Sequence, residues 1–325
     1  MRKIRFNGVY KNLLEEFVQF KRQCGFKYVT AEKMLVLFDK LTIERGETET
    51  SLGIELARAW AVKRPNETES YRYKRSVVFN QFALYLRQQD RPCSICHVPP
   101  YKTYFIPHIY SSKELEQIFS VCDNQICMPI RRDSVMFVMP ALLRFLLCTG
   151  LRIGEALGLL DTDVNLQNKM LIIRDSKNGK ERLVPFSDSL ATILTQYRIH
   201  RVRLNPSPST SHFFLSARGR SLEPGDIYVC FKRILHKAGI PFKGNHYGPR
   251  VHDFRHTFAV RSLVHMLENG MDIYCSLPIL STYLGHNDLS GTQRYLQLTA
   301  QMYPDITQKL EKQFGELIPT MEVPR

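Results

Sequence analysis

Met170-Leu171-Ile172-Ile173-Arg174-Asp175-Ser176-Lys177-Asn178-Gly179-Lys180-Glu181-Arg182-Leu183-Val184-Pro185 interrupts a chain that is otherwise helical in pattern. Two short apolar runs, 170–173 and 182–185, flank Lys177-Asn178-Gly179-Lys180. Asn-Gly supplies the positive φ angles that a tight hairpin turn needs, so the spacing predicts two antiparallel strands. Elsewhere apolar residues recur every three or four positions. The expected class is therefore mainly α, an α+β chain with one small antiparallel sheet.

Working outward, Ser111-Ser112-Lys113-Glu114 has the form of a capping box that opens a helix. An apolar helix is expected over about 134–148, and another begins at Arg152 after Thr149-Gly150. Beyond the hairpin the pattern predicts helices near 188–203, 224–238, 252–268, 276–284 and 288–297. Toward the N-terminus, residues 8–88 read as four helices. Val9, Leu13, Leu14, Phe17 and Phe20 mark the first, which ends at Cys24-Gly25. Thr30 caps a second over 30–44, and Ser51 caps a third running through Trp60 and Val62. The fourth, from about Thr68 to Gln88, sets Arg72, Lys74, Arg75 and Arg87 over an aromatic core that includes Tyr71, Phe79 and Phe82. Such a basic face suits DNA, although solvated charge is the commoner reason for one. Pro92, Pro99, Pro100 and Pro107 mark a linker. The organisation expected is a helical DNA-binding domain over 1–90, a linker over 91–110, a second domain over 111–300 and a tail over 301–325.

The chain has 325 residues and a formal net charge of +14, with basic residues in surplus both in 1–90 and in the remainder. That distribution fits a polyanionic partner touched by both parts, since each neutralised phosphate releases counterions. No apolar run approaches the roughly 18 residues that a membrane span needs. Met1-Arg2-Lys3-Ile4-Arg5-Phe6 lacks the apolar stretch of a secretory signal, so a cytoplasmic location with eight reduced cysteines is expected. Cys93-Ser94-Ile95-Cys96-His97 has the spacing of a haem attachment site and three zinc-type ligands. Neither use gains support from a signal peptide or a second ligand pair. Cys148, among Leu146, Leu147 and Leu151, reads as a small core residue.

The second half carries the chemistry. Arg152 near a helix start and Arg255 in His252-Asp253-Phe254-Arg255-His256 are planar forks suited to the oxygens of a phosphodiester. His252 and Arg255 are three apart and share a helix face. Arg152 can equally be a surface arginine paired with Glu155, and His286 in Leu284-Gly285-His286 a helix-end histidine bonded to backbone. His252 and His256, four apart, could bind a metal, but Asp253 stands where the zinc-protease pattern needs Glu. Lys177 in the hairpin turn can protonate a leaving oxygen, with Lys180 and Arg182 as competitors. A tyrosine can act as the nucleophile if nearby cations help it lose its proton. The residues alone do not choose among Tyr283, Tyr295 and Tyr303. No carboxylate pair suited to catalytic magnesium stands beside the set, so no cofactor or metal is expected.

In order, Thr149-Gly150-Leu151-Arg152-Ile153-Gly154-Glu155, Lys177 with Lys180-Glu181-Arg182-Leu183-Val184-Pro185, His252-Asp253-Phe254-Arg255-His256-Thr257-Phe258-Ala259, Leu284-Gly285-His286 and Thr292-Gln293-Arg294-Tyr295 resemble the tyrosine recombinase (phage integrase) family. The resemblance spans roughly 110–300. It implies a two-domain clamp around double-stranded DNA and a site-specific recombinase that needs neither metal nor ATP. Tyr295 would form a 3′-phosphotyrosine, Arg152, Arg255 and His286 would steady the phosphate, His252 would help move the proton, and Lys177 would protonate the 5′ oxygen. It also implies a homo-tetramer on DNA with a Holliday junction intermediate, with accessory recombinases or DNA-bending proteins as further partners. The stretch Glu268–Ser281 is longer than the shortest members need, as in integrases of mobile elements. Two alternatives stay open: a type IB topoisomerase-like relaxing enzyme, and a catalytically silent DNA-binding regulator.

Overall fold

The computed structural model describes residues 6–98, 100–101, 106–124, 135–174, 181–244, 248–286 and 290–302. The chain divides into two compact units, Met1–Tyr104 and Phe105–Arg325.

In the first unit, helices α1 (Lys11–Gln23), α2 (Val29–Glu44), α3 (Ile54–Ala61) and α4 (Glu69–Arg87) enclose an aromatic core. Phe38 meets Trp60 edge-on at 5.5 Å between ring centres, and Phe17, Phe79 and Phe82 fill the space around them. Edge-to-face rings add to the burial gain. Several local expectations change. The cap of α2 is Tyr28 at φ 51°, which places Thr30 inside the helix. The cap of α3 is Gly53, because Ser51 gives its carbonyl to the Tyr10 hydroxyl and Leu52 bridges to Cys93. Phe20 and Tyr71, expected inward, are exposed.

The largest departure is Arg75, expected on the basic face of α4. It is fully buried and bonds both oxygens of Glu67, at 2.6 and 2.9 Å, together with the carbonyls of Trp60 and Val62. Its guanidinium also lies over the Trp60 ring. Burying that charge is tolerable only because each of its three nitrogens meets an acceptor. Arg75→Ala is expected to lower the stability of this unit by about 3–5 kcal/mol, because it strands Glu67 in the interior. Thermal melting of the full chain checks it, and an unchanged first transition would refute the assignment.

Both ends of the proline-rich segment are anchored. Cys96 exchanges two backbone bonds with the Asn80 side chain, at 2.7 and 2.9 Å, and its thiol donates to the Ala57 carbonyl. The Cys93–Cys96 stretch is thus a strap on the helical unit. Among the described residues, no three His, Cys, Asp or Glu side chains gather as a metal site. At the other end Tyr110 stacks on Phe254, and its amide donates to the Thr257 hydroxyl.

The second unit contains α5 (Ser112–Asp123), α6 (Met139–Thr149) and α7 (Ile153–Gly158), then strands β1 (Val164–Asn165), β2 (Met170–Ile173) and β3 (Arg182–Pro185). Helices α8 (Asp188–Leu204), α9 (Pro224–Lys237), α10 (Asp253–Glu268), α11 (Ile273–Leu284) and α12 (Ser290–Met302) follow. The capping box at Ser111 and Glu114 is formed. The sheet is antiparallel in the order β1-β2-β3, with Leu171 opposite Val184 and both buried. The mainly α class with a small antiparallel sheet is therefore observed. Strand β1 has only two residues, too few to leave an alternating pattern. Cys148, expected in the core, is exposed, whereas Cys122 and Cys230 are buried. The buried core runs from Leu142 and Phe145 through Phe213 and Phe214 to Phe231 and Phe254. Helix α10 crosses this body and packs against α6, α11 and α12. Among the described residues no helix is long and apolar enough to cross a membrane.

Candidate active site

Helix α6 ends on Gly150, whose φ of 61° turns the chain back. A Cβ there would run into the Phe258 ring, so the position requires glycine on two counts. The turn buries Leu151 and leaves Arg152 at the start of α7, partly open to solvent. The Gly150 carbonyl accepts from Arg255 Nη1 at 2.8 Å. Arg255 Nη2 donates to the Leu284 carbonyl and to His286 Nε2, both at 2.9 Å. One guanidinium, 2% exposed, therefore ties the ends of α6 and α11 to the first turn of α10. Burial first, and then the charge of Arg152, lower its pKa to about 10. It stays charged at any working pH. A cation held in that condition gains from a bound anion.

Glu155 carries the second tie. Its carboxylate accepts from Arg152 Nη1 at 3.0 Å and from Arg182 Nη1 and Nη2 at 3.2 and 3.0 Å. Burial alone would raise its pKa, but the two arginines outweigh burial and hold the group below the usual carboxylate range. Arg182 also donates from Nε to the Tyr283 carbonyl at 3.1 Å. At Gly285, with φ 68°, a Cβ would meet the Arg182 guanidinium at 2.9 Å. Arg182, a competitor for the leaving-group role, is thus engaged in bridging β3, α7 and the end of α11.

Helix α12 brings Tyr295 to this cluster. The residue is 3% exposed, and its ring packs among Ala259, Val260, Leu263, Leu280 and Leu298. The Tyr295 hydroxyl lies 3.1 Å from His256 Nδ1 and also bonds Arg255. Its ring lies nearly parallel to that of His286, with centres 6.3 Å apart. Burial raises the phenol pKa, while Arg255, Arg152 and Arg294 pull against that rise. Arg255 only donates, so His286 Nε2 accepts and His286 Nδ1 donates to Thr292 Oγ1 at 2.8 Å. His252 precedes α10 and stands edge-on to His256, ring centres 4.9 Å apart. The residue is exposed, yet the surrounding protein, Arg255 and Arg250 lower its pKa to about 4. Asp253 is fully buried and takes two bonds from the Arg250 guanidinium, which steadies the start of the helix.

Arg255, His286 and Tyr295 are thus in one bonded cluster, with Arg152 and His252 at its edge. Lys177, like Tyr303 and Lys180, lies outside the described residues. Tyr283 donates its hydroxyl to the Pro185 carbonyl at 3.1 Å and stacks on Phe258, a structural position. In the sequence, His256 stands out only as a possible metal ligand, four residues from His252. Its place one residue after Arg255 was visible, but its contact with Tyr295 depends on how α12 packs.

The family model described as the phage integrase family matches residues 109–302. The integrase/recombinase y4rB of Sinorhizobium fredii is 30% identical over 315 residues, covering 95% of this chain and 99% of that protein. The tyrosine recombinase XerC of Listeria monocytogenes is 32% identical over 200 residues, covering 60% of this chain and 59% of its own. Among solved structures, the Tn1549 transposon integrase in complex with transposon right end DNA aligns with a TM-score of 0.63 at 17% identity, covering 87% of this chain and 94% of that one.

Proposed function

The chain belongs to the phage integrase family and is a site-specific recombinase that cleaves and rejoins DNA; from that premise we propose that Tyr295 is its nucleophile and that the cluster around Tyr295 is its active site. The observation that carries this reading is the Tyr295 hydroxyl, bonded to His256 and Arg255 within a group of cations. A phosphodiester in transfer spreads negative charge over its non-bridging oxygens. Arg152, Arg255 and His286 would stabilise that charge, and Lys177 would protonate the departing 5′ oxygen. The bond energy is retained in the phosphotyrosine, so rejoining needs no ATP. His252 would tune the neighbouring imidazole.

The wider reading follows the family. Residues 1–90 would contribute DNA contacts, four copies would assemble on two duplexes, and the element served would be mobile. The net charge of +14 supports a DNA partner. A type IB topoisomerase-like enzyme would relax circles from one site without joining two. A silent regulator would bind without any adduct.

The test is covalent capture. A duplex from DNA flanking the gene, nicked beside the cleavage point, is incubated with the full chain. A Tyr295–nucleotide adduct is expected by mass spectrometry, undiminished by EDTA. An adduct on a different tyrosine, or capture abolished by the chelator, would contradict this assignment.

A further inference from the structure

We propose that His256 is the base that takes the Tyr295 proton during strand cleavage, an inference that rests on Tyr295 being the nucleophile. The phenol oxygen must shed its proton as it attacks phosphorus. Arg255 has no lone pair to receive it. Since Arg255 donates to that oxygen, the phenol's own hydrogen is left for another acceptor, and His256 Nδ1 stands 3.1 Å away. In this arrangement Nδ1 presents its lone pair and Nε2 carries the ring hydrogen.

The other candidates are engaged elsewhere. His286 Nε2 accepts from Arg255, and its Nδ1 faces Thr292. Glu155 is held by Arg152 and Arg182, and Asp253 by Arg250. His252, which the family resemblance made the proton handler, stands against the ring of His256. Its place suits a group that tunes His256.

The proton balance closes without a co-reactant. The Tyr295 Oη–H bond breaks and its proton passes to Nδ1. The Oη–P bond forms, and the P–O5′ bond breaks with its electron pair on O5′, which takes a proton from the leaving-group acid. Rejoining runs the same steps backward, and His256 returns the proton to Oη.

The surroundings add a condition. His256 faces His252, Arg250 and Arg255 from its own segment, and Tyr295 and Arg294 from α12. Burial first, and then the charges of His252, Arg250, Arg255 and Arg294, lower its pKa to about 3. The imidazole is therefore neutral and ready to accept, but weakly basic, until an anion arrives. A phosphodiester between the arginines would reverse the local field and favour the imidazolium. Deprotonation of the nucleophile is in this way coupled to the presence of DNA.

The experiment is single-turnover adduct formation by the full chain between pH 5.5 and 9. The substrate is a nicked duplex spanning the cleavage point mapped with the unsubstituted protein. His256→Gln and His256→Ala are compared with the parent. Both variants should be slowed on the order of 10²–10⁴-fold with duplex binding retained. Added imidazole should partly restore His256→Ala. A second duplex carries sulfur at the bridging 5′ position, a leaving group that needs no acid. Loss of a leaving-group acid is repaired by that substrate, whereas loss of the nucleophile's base is not, so His256 variants should remain slow on it. Rates within about threefold of the parent, or repair by the sulfur substrate, would overturn the proposal. His256→Gln keeps an acceptor near the phenol and answers if the alanine form does not fold. If the parent chain itself forms no adduct on Tyr295, the nucleophile assignment fails instead, and the two failures are distinguishable.

Discussion

Tyr295→Phe should bring covalent capture of DNA down to background, a loss on the order of 10⁴-fold or more, while duplex binding stays near that of the parent. The substitution removes one oxygen and nothing else. The phenyl ring still fills the space among Val260, Leu263, Leu280 and Leu298, so α12 keeps its seat. The hydroxyl's two partners, His256 and Arg255, retain other neighbours, including His252 beside one and the Gly150 and Leu284 carbonyls on the other. Binding rests mainly on cation–phosphate contacts that the change leaves in place. Tyr283→Phe loses only a bond to the Pro185 carbonyl and should cleave nearly as well as the parent. Gel separation of adduct from free duplex measures both. Capture that survives in Tyr295→Phe and vanishes in Tyr303→Phe would show that the wrong phenol has been chosen. A mixture supplies the second half of the test. Tyr295 lies in the cluster of its own chain, so combining Tyr295→Phe with Arg152→Ala should not restore cleavage. Restoration would mean that the tyrosine is delivered from one copy to another.

Much of this site was legible in the sequence because its chemistry requires particular side chains next to particular backbone turns. Gly150 before Arg152, and Gly285 before His286, reverse the chain where a side chain of the cluster must be presented, and both glycines carry a positive φ. The helical periods placed Arg255 on α10 and His286 just past the end of α11. What stayed hidden depends on packing between distant segments. Arg75 reads as one more charge on a basic helix until α3 closes over it with Glu67, eight residues away, as its partner. Arg182 reads as a competitor of Lys177, yet its bonds to Glu155 and the Tyr283 carbonyl reach across 27 and 101 positions. The contact between His256 and Tyr295 spans 39 positions and both ends of α11. Helical period gives the face a residue lies on, and it cannot give which helix arrives on that face.

Arg255 should be the least replaceable cation in the molecule, with loss of both cleavage and fold stability when it is shortened. Its fork meets the Gly150 carbonyl, the Leu284 carbonyl and His286 Nε2 at once, so three segments share one side chain. Arg255→Ala leaves those two buried carbonyls without that donor. At about 1–2 kcal/mol for each stranded group, the expected loss is about 2–4 kcal/mol. In a unit of this size that is a fall of roughly 5–15 °C in melting temperature. Arg255→Lys separates charge from geometry. The ammonium keeps the positive charge, but its compact head cannot span two carbonyls and an imidazole in one plane. It should melt closer to the parent than the alanine form and still cleave on the order of 10²–10³-fold more slowly, the usual cost of removing an aligned donor from a developing oxyanion. The lowered pKa adds a further expectation about where the strain is relieved. Burial and Arg152 make the protonated guanidinium of Arg255 less favourable than in water, so a phosphate between the two arginines removes a penalty present in the free protein. Cognate duplex should therefore raise the melting temperature of the parent more than that of either variant. Cleavage by Arg255→Ala within tenfold of the parent, with an equal thermal gain from DNA, would leave Arg255 as scaffold only and transfer the phosphate to other hands in the cluster.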